Sequence, residues 1–167
     1  MVSCGVGVSE LKAWKTVQRG KHTNGDASYK ALDVADYLIG RPNTDDIFRR
    51  GTFAAGTDEV DLVVVSNADL GYSDGATHRQ TYERAVQLGL EKVPHWGGPV
   101  LREEYKDQPR GELLRMGMEP IRVANGDLYI FELGCDTRVG LWLSVEDGHP
   151  DGFLDGSTLW VFVLPRA

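Results

Sequence analysis

The sequence predicts an α+β fold: one antiparallel-rich sheet with two main helices packed on one face. Three observations carry this. Two stretches with helical spacing of apolar residues lie before residue 91, and strand-like runs crowd the chain after residue 99. Those later runs are joined by connections too short for helical crossovers, which argues against a doubly wound parallel sheet. A small β-barrel with flanking helices is the alternative. No long-period repeat and no linker divides the 167 residues, so residues 1–167 are expected to form a single domain.

The first dozen residues are glycine-rich, which predicts poor order over 1–12, and Ala13 to Gln18 reads as a first strand. Asp26 stands where an N-cap is wanted for a helix running to Ile39. Leu32, Ala35, Leu38 and Ile39 recur at helical spacing, and Gly40 then Pro42 stop it. Arg41 to Asp58 lacks a clean period and reads as a loop with room for a short helical turn. Val60 to Val65 is a valine-rich run short enough to be a strand covered on both faces. Thr77 followed by Gln80 is a capping-box pattern; Tyr82, Ala85, Val86 and Leu90 then form an apolar stripe, and Gly89 closes the helix. Strands are expected near Val100 to Tyr105, Glu112 to Met118, Leu128 to Leu133, Leu141 to Val145 and Leu159 to Leu164. The last run, LWVFVL, is apolar at both alternating sets of positions, the mark of a central strand.

The most informative stretch is Gly98 to Leu133. Two strand-like runs meet at Asp107-Gln108-Pro109-Arg110-Gly111, and a second turn, Asn125-Gly126-Asp127, launches a third, which predicts an antiparallel meander. The string formed by Gly98, Pro99, Leu101, Arg102, Tyr105, Asp107, Gln108, Pro109, Gly111, Glu112, Met118, Glu119, Pro120 and Ile121 resembles a family of small bacterial proteins without an established function. Weaker similarity runs through VDLVVVSNADLGY and the terminal WVFVLPR. Val93 and Trp96 stand where that family pattern has a cysteine and a glutamate, and Glu103 stands where it has an apolar residue. The resemblance brings no catalytic residue with it.

Composition sets the outer limits. With 41% hydrophobic and 26% charged residues the chain is ordinary for a globular protein, and no apolar run approaches the roughly 20 residues of a membrane span. A net charge of −7 repels phosphate backbones and anionic lipid, so neither nucleic acid nor membrane is an expected partner. Arg102, Arg110, Arg115 and Arg122 are interleaved with Glu103, Glu104, Asp107, Glu112 and Glu119, which reads as a mixed surface. Cys4 and Cys135 are too few for a disulfide scaffold, and the pattern of a secretory leader is missing; two free thiols in a reducing cytoplasm are expected.

Pairing strands across Asp107 to Arg110 puts Tyr105 opposite Glu112 and Glu103 opposite Leu114. Alternation then places Leu101, Glu103 and Tyr105 on one face with Glu112, Leu114, Met116 and Met118. A carboxylate on such a face is desolvated, which raises its pKa and suits it to general acid/base work. Glu103 and Glu112, with Tyr105 as a donor, are the candidate catalytic residues; the competing reading is an edge position that leaves Glu103 in water. Asp107, Gln108 and Arg110, on a turn stiffened by Pro109, are candidate binding residues, joined by Arg102 and Arg115. The competing reading is that Pro and Gly merely set the turn.

Glu146, Asp147, Asp151 and Asp155 offer oxygen ligands, but their spacing fits a chain of Asp-Gly turns better than a coordination shell. His22, His78, His95 and His149 are isolated and expected in loops or at the surface. No metal and no cofactor is therefore expected, and no Walker A, dinucleotide or G-x-S-x-G pattern occurs. Trp96, Trp142, Trp160, Phe131, Tyr129 and Phe162 read as core, with a ligand cavity as the alternative. The function expected is a non-catalytic accessory module that binds a small molecule or a protein through a sheet face and the Asp107 to Arg110 loop. The alternative is a small hydrolase or isomerase with a Glu acid/base.

Overall fold

The computed structural model describes residues 10–20, 22–40 and 43–166; most of the glycine-rich N-terminus, with Cys4, and Pro42 lie outside them. The chain runs β1 (Lys15–Gln18), α1 (Gly25–Val34), β2 (Leu38–Ile39), α2 (Thr44–Arg50), β3 (Glu59–Ser66), β4 (Ala76–Thr77), α3 (His78–Gln87), α4 (Gly97–Glu104), β5 (Leu113–Met116), β6 (Ile121–Arg122), β7 (Leu128–Asp136), β8 (Gly140–Asp147), β9 (Phe153–Leu154) and β10 (Leu159–Val163). Among the described residues the content is α and β, with four helices and one large sheet.

That sheet is mixed and open. Its order is β1-β3-β10-β5-β7-β8-β2, with β6 paired to β7 and a separate β4-β9 ribbon. Two junctions, β10 with β5 and β2 with β8, are parallel, which corrects the expectation of an antiparallel-rich sheet; its two free edges exclude a closed barrel. The run LWVFVL is central as expected, flanked by β3 and β5.

Helices pack on both faces, not one. Phe48 of α2 meets Phe131 of β7 edge to face at 5.2 Å, and α4 lies over the same face. There Gly98 permits the approach, because a Cβ on it would sit 3.0 Å from Cβ of Phe131 and 3.2 Å from Cγ of Met116. Val161 and Met116 are register partners and share this face; Trp160 and Phe162 point to the other, where Tyr82 of α3 crosses both rings edge to face. None of the helices described is long and apolar enough to cross a membrane.

Several local signals act as read. Thr77 and Gln80 form a reciprocal capping box at the start of α3. The Asn125 turn joins β6 to β7, with Gly126 at φ +95° and the Asp127 amide held by the Asn125 side chain. Others are displaced. Asn24, not Asp26, caps α1 by accepting from the Ala27 amide, and Asp26 sits in the first turn, where a negative charge favours the helix dipole. α1 stops at Val34 because Asp36 turns left-handed at φ 61°, so Leu38 and Ile39 leave the helix and pair with Trp142 and Leu143 as an edge strand.

The largest correction concerns Val100 to Tyr105, which is helical. Pro99 in the first turn of α4 gives up no needed amide, and Leu101 accepts from the Tyr105 amide at 2.8 Å. Over six residues a period of two and a period of 3.6 are hard to separate, and Gly97 to Arg102 are buried without a break, so periodicity does not mark the helix. Asp107 to Gly111 is therefore a helix-to-strand turn and not a hairpin loop. Tyr105 is no cross-strand partner of Glu112, and Glu103 shares no sheet face with Leu114.

Candidate functional site

Arg102 is fully buried. It is no part of the mixed surface expected: its Nη1 donates to Oε1 of Gln108 at 2.6 Å and to the carbonyls of Gly134 and Trp142, each at 3.2 Å, and its Nη2 donates to the Tyr105 carbonyl. Burial lowers its pKa, and carbonyl dipoles stand where a carboxylate would usually sit. Gln108, expected to point outward, is buried as well and donates to the carbonyls of Glu112 and Leu133. The Tyr105 hydroxyl donates to Oε1 of Glu112 at 2.9 Å; burial and this carboxylate push its pKa up to about 12, so it stays a neutral donor. Gly111, at φ +84°, donates its amide to the Cys135 carbonyl. Arg102, Tyr105, Gln108 and Glu112 thus form one hydrogen-bonded lock that fastens α4 to β5, β7 and β8.

Glu103 lies apart from this lock, paired at 3.0 Å with Nε2 of His22. Asp107 and Arg110 are exposed on the turn. Asp147 and Asp155 spend carboxylate oxygens on the amides of His149 and Ser157, as Asp-Gly turns require. Among the described residues no three His, Cys, Asp or Glu side chains are placed to hold a metal ion. Trp160, Phe131 and Phe162 are core.

Arg115 leads elsewhere. It sits on the opposite face of β5 from Leu114 and Met116, beside Glu132 of β7, with Nε 3.1 Å from Oε2. The contact is off hydrogen-bond geometry, so neither atom has a hydrogen-bond partner among the described residues. Glu132 is 6% exposed. Burial pushes its carboxyl up to about 7, against the pull of Arg115 and helped by Glu146.

Glu132 forms part of the wall of an open cleft of about 420 Å³ on this face, lined also by Trp142, Ser144 and Glu146 of β8, Asp136 of β7, Leu38 of β2, and by Gly40, Arg138 and Val139. None of these residues belongs to a helix. Two glycines shape it. Trp142 lies across Gly134, where a Cβ would come within 2.1 Å of the indole, and Gly40 leaves Ser144 uncovered, since a Cβ there would lie 2.2 Å from its Oγ. Leu38 and Val139 are half exposed at its rim, at 48% and 53%.

His78 stands near Arg115 and Glu146 and meets Trp160 edge to face at 5.2 Å. It is buried, which corrects its placement at the surface, and burial lowers its pKa while Nδ1 finds no partner among the described residues. A depression of about 400 Å³ lined by Glu112, Arg115, Asp155 and Ser157 also touches Arg115.

Of the eight residues read as candidates, Arg115 alone reaches Glu132, and Glu132 itself was missed. Its signal was a single carboxylate inside the apolar run LYIFELG, matched by a single guanidinium inside LLRM. Chemically the cleft offers a carboxyl that exchanges its proton near neutrality, an aromatic wall and an apolar rim. No family model matches the chain, and no curated protein and no solved structure matches it either.

Proposed function

We propose that the protein is a small-molecule binding module whose ligand lies in the cleft over β7, β8 and β2. The observation that carries this reading is Glu132: a carboxyl removed from water in the wall of an open concavity, rather than sealed in the core, is positioned to meet a ligand. A volume of about 420 Å³ lies within the usual range for small-molecule sites. The Asp107 to Arg110 turn lines no part of this cleft; the bond from Gly111 to Cys135 ties it to the β5 side of β7.

A ligand-observed NMR screen of a fragment library tests this. Hits should compete with one another and lose their signal in Glu132→Leu and in Trp142→Ala, with thermal melts confirming that both variants fold. Hits retained in full by both variants would refute the site. The proton affinity of Glu132 favours one second reading, a small hydrolase or isomerase with this carboxyl as acid/base in place of Glu103 or Glu112. It predicts turnover with an apparent pKa near that of Glu132, abolished in Glu132→Gln.

A further inference from the structure

Taking the cleft as the binding site, we propose that it receives an organic monocation: a primary ammonium group on an aryl or branched alkyl body. The ammonium sits between Glu132 and Glu146, and the body lies against Trp142, Leu38 and Val139. Charge decides first. Three carboxylates line the cleft, Glu132, Asp136 and Glu146, against the single guanidinium of Arg138. Arg115 approaches Glu132 from β5, and His78, held neutral by burial, stands behind Arg115 and Glu146. An anion would meet three carboxylates for the one guanidinium of Arg138, whereas an ammonium adds to the pair that Glu132 already makes with Arg115.

Hydrogen bonding decides next. Oε2 of Glu132 is closed off against Nε of Arg115 at 3.1 Å, which leaves Oε1 to meet a ligand, and a ligand that brings N–H donors supplies a hydrogen bond the carboxylate otherwise lacks among the described residues. A quaternary ammonium lacks those donors. The wall fits the rest of the molecule, since the indole of Trp142 offers a face for a cation or a ring, and Leu38 and Val139 offer half-exposed apolar surface. Proton linkage then follows. An ammonium against Glu132 favours its ionised form, and a carboxyl near half protonation at neutral pH gives up its proton to solvent as the amine binds.

Three probes that share one phenethyl body distinguish the possibilities: 2-phenylethylamine, 2-phenylethanol and 3-phenylpropionate. Each is titrated into the full chain while the Trp142 indole and Ser144 amide resonances are followed. Calorimetry at neutral pH in two buffers of different ionisation enthalpy counts protons. The amine should bind at least about tenfold more tightly than the alcohol, as one charge-assisted hydrogen bond implies, and release about half a proton. Glu132→Gln should abolish the proton release and cost about tenfold in amine affinity, while Glu132→Asp retains both in part. Should Glu132→Gln unfold, Glu146→Gln at the cleft surface should still weaken the amine several-fold. Tighter binding of the carboxylate at the same resonances, or amine affinity indifferent to both glutamines, would overturn the cationic ligand and leave the cleft as a binding site. Silence of both resonances with all three probes would overturn the cleft reading itself.

Discussion

Replacing Glu132 by glutamine removes a group whose proton affinity differs between the folded and unfolded chain. Unfolded, the carboxyl titrates near 4.5; folded, it titrates at about 7. The folded state therefore holds the proton more tightly, and the stability this confers is complete below the unfolded value and lost as pH rises through the folded one. At about 1.4 kcal/mol for each pH unit between the two values, the loss amounts to about 3 kcal/mol. Little solvent screening reduces it, since the side chain is 8% exposed. Urea unfolding of the parent and Glu132→Gln at about pH 4 and about pH 8.5 isolates the effect, because titrations elsewhere cancel in the difference. The parent should lose about 3 kcal/mol relative to the variant between the two conditions. Removing the partner of Arg115 adds a constant to that difference and leaves its slope alone. A difference that stays level to within about 0.5 kcal/mol would show that Glu132 is not the desolvated acid inferred from its burial.

Further outcomes follow from the same physics. Arg115→Gln removes the charge that favours ionised Glu132, so the carboxyl resonance of Glu132 followed by NMR should titrate above its parent value. Arg102→Ala leaves the acceptors on Gln108, Gly134, Trp142 and Tyr105 without their donor and should cost about 3 kcal/mol in chemical unfolding; Arg110→Ala, on the exposed turn, should stay within about 0.5 kcal/mol. His95 accepts from the Thr52 amide through Nδ1 and contacts the Glu119 carbonyl through Nε2, and burial lowers its pKa. Its contribution is present above the unfolded histidine value and fades as pH falls through it, so His95→Gln should flatten the acid limb of the stability profile. Gly134→Ala should displace the Trp142 indole from its seat and shift its NMR resonance, with no such shift for Trp160.

Legibility in the sequence followed how local the deciding interaction is. The cap of α3 and the turn after β6 depend on residues two or three apart, and β3 and β10 on dense apolar runs; each was readable. The exit from α1 at Asp36 and the helical state of Val100 to Tyr105 depend on what packs against them, β8 in one case and Phe131 with Met116 in the other. The turn string read as a binding loop carries its polar groups for internal use: Gln108 and Arg102 hold each other inside the fold. The candidate site was legible only through Arg115, since the approach of Glu132 requires the β5–β7 register, and nothing local to either strand encodes it.

The position of β10 bears on how the chain assembles. Every other strand precedes it, yet it lies between β3 and β5, joining a β1-β3 pair to a β5-β7-β8-β2 block. Until residue 163 is available the two blocks share no strand, and each presents an unpaired edge, Leu62–Ser66 on one and Leu114–Met116 on the other. Pairing Val161 with Val64 closes a loop of nearly a hundred residues, a late and slow contact by the usual dependence of rate on sequence separation. Synthesis therefore leaves two sticky half-sheets waiting on their last strand, and a nascent chain stalled before Leu159 is the form most exposed to edge-to-edge aggregation.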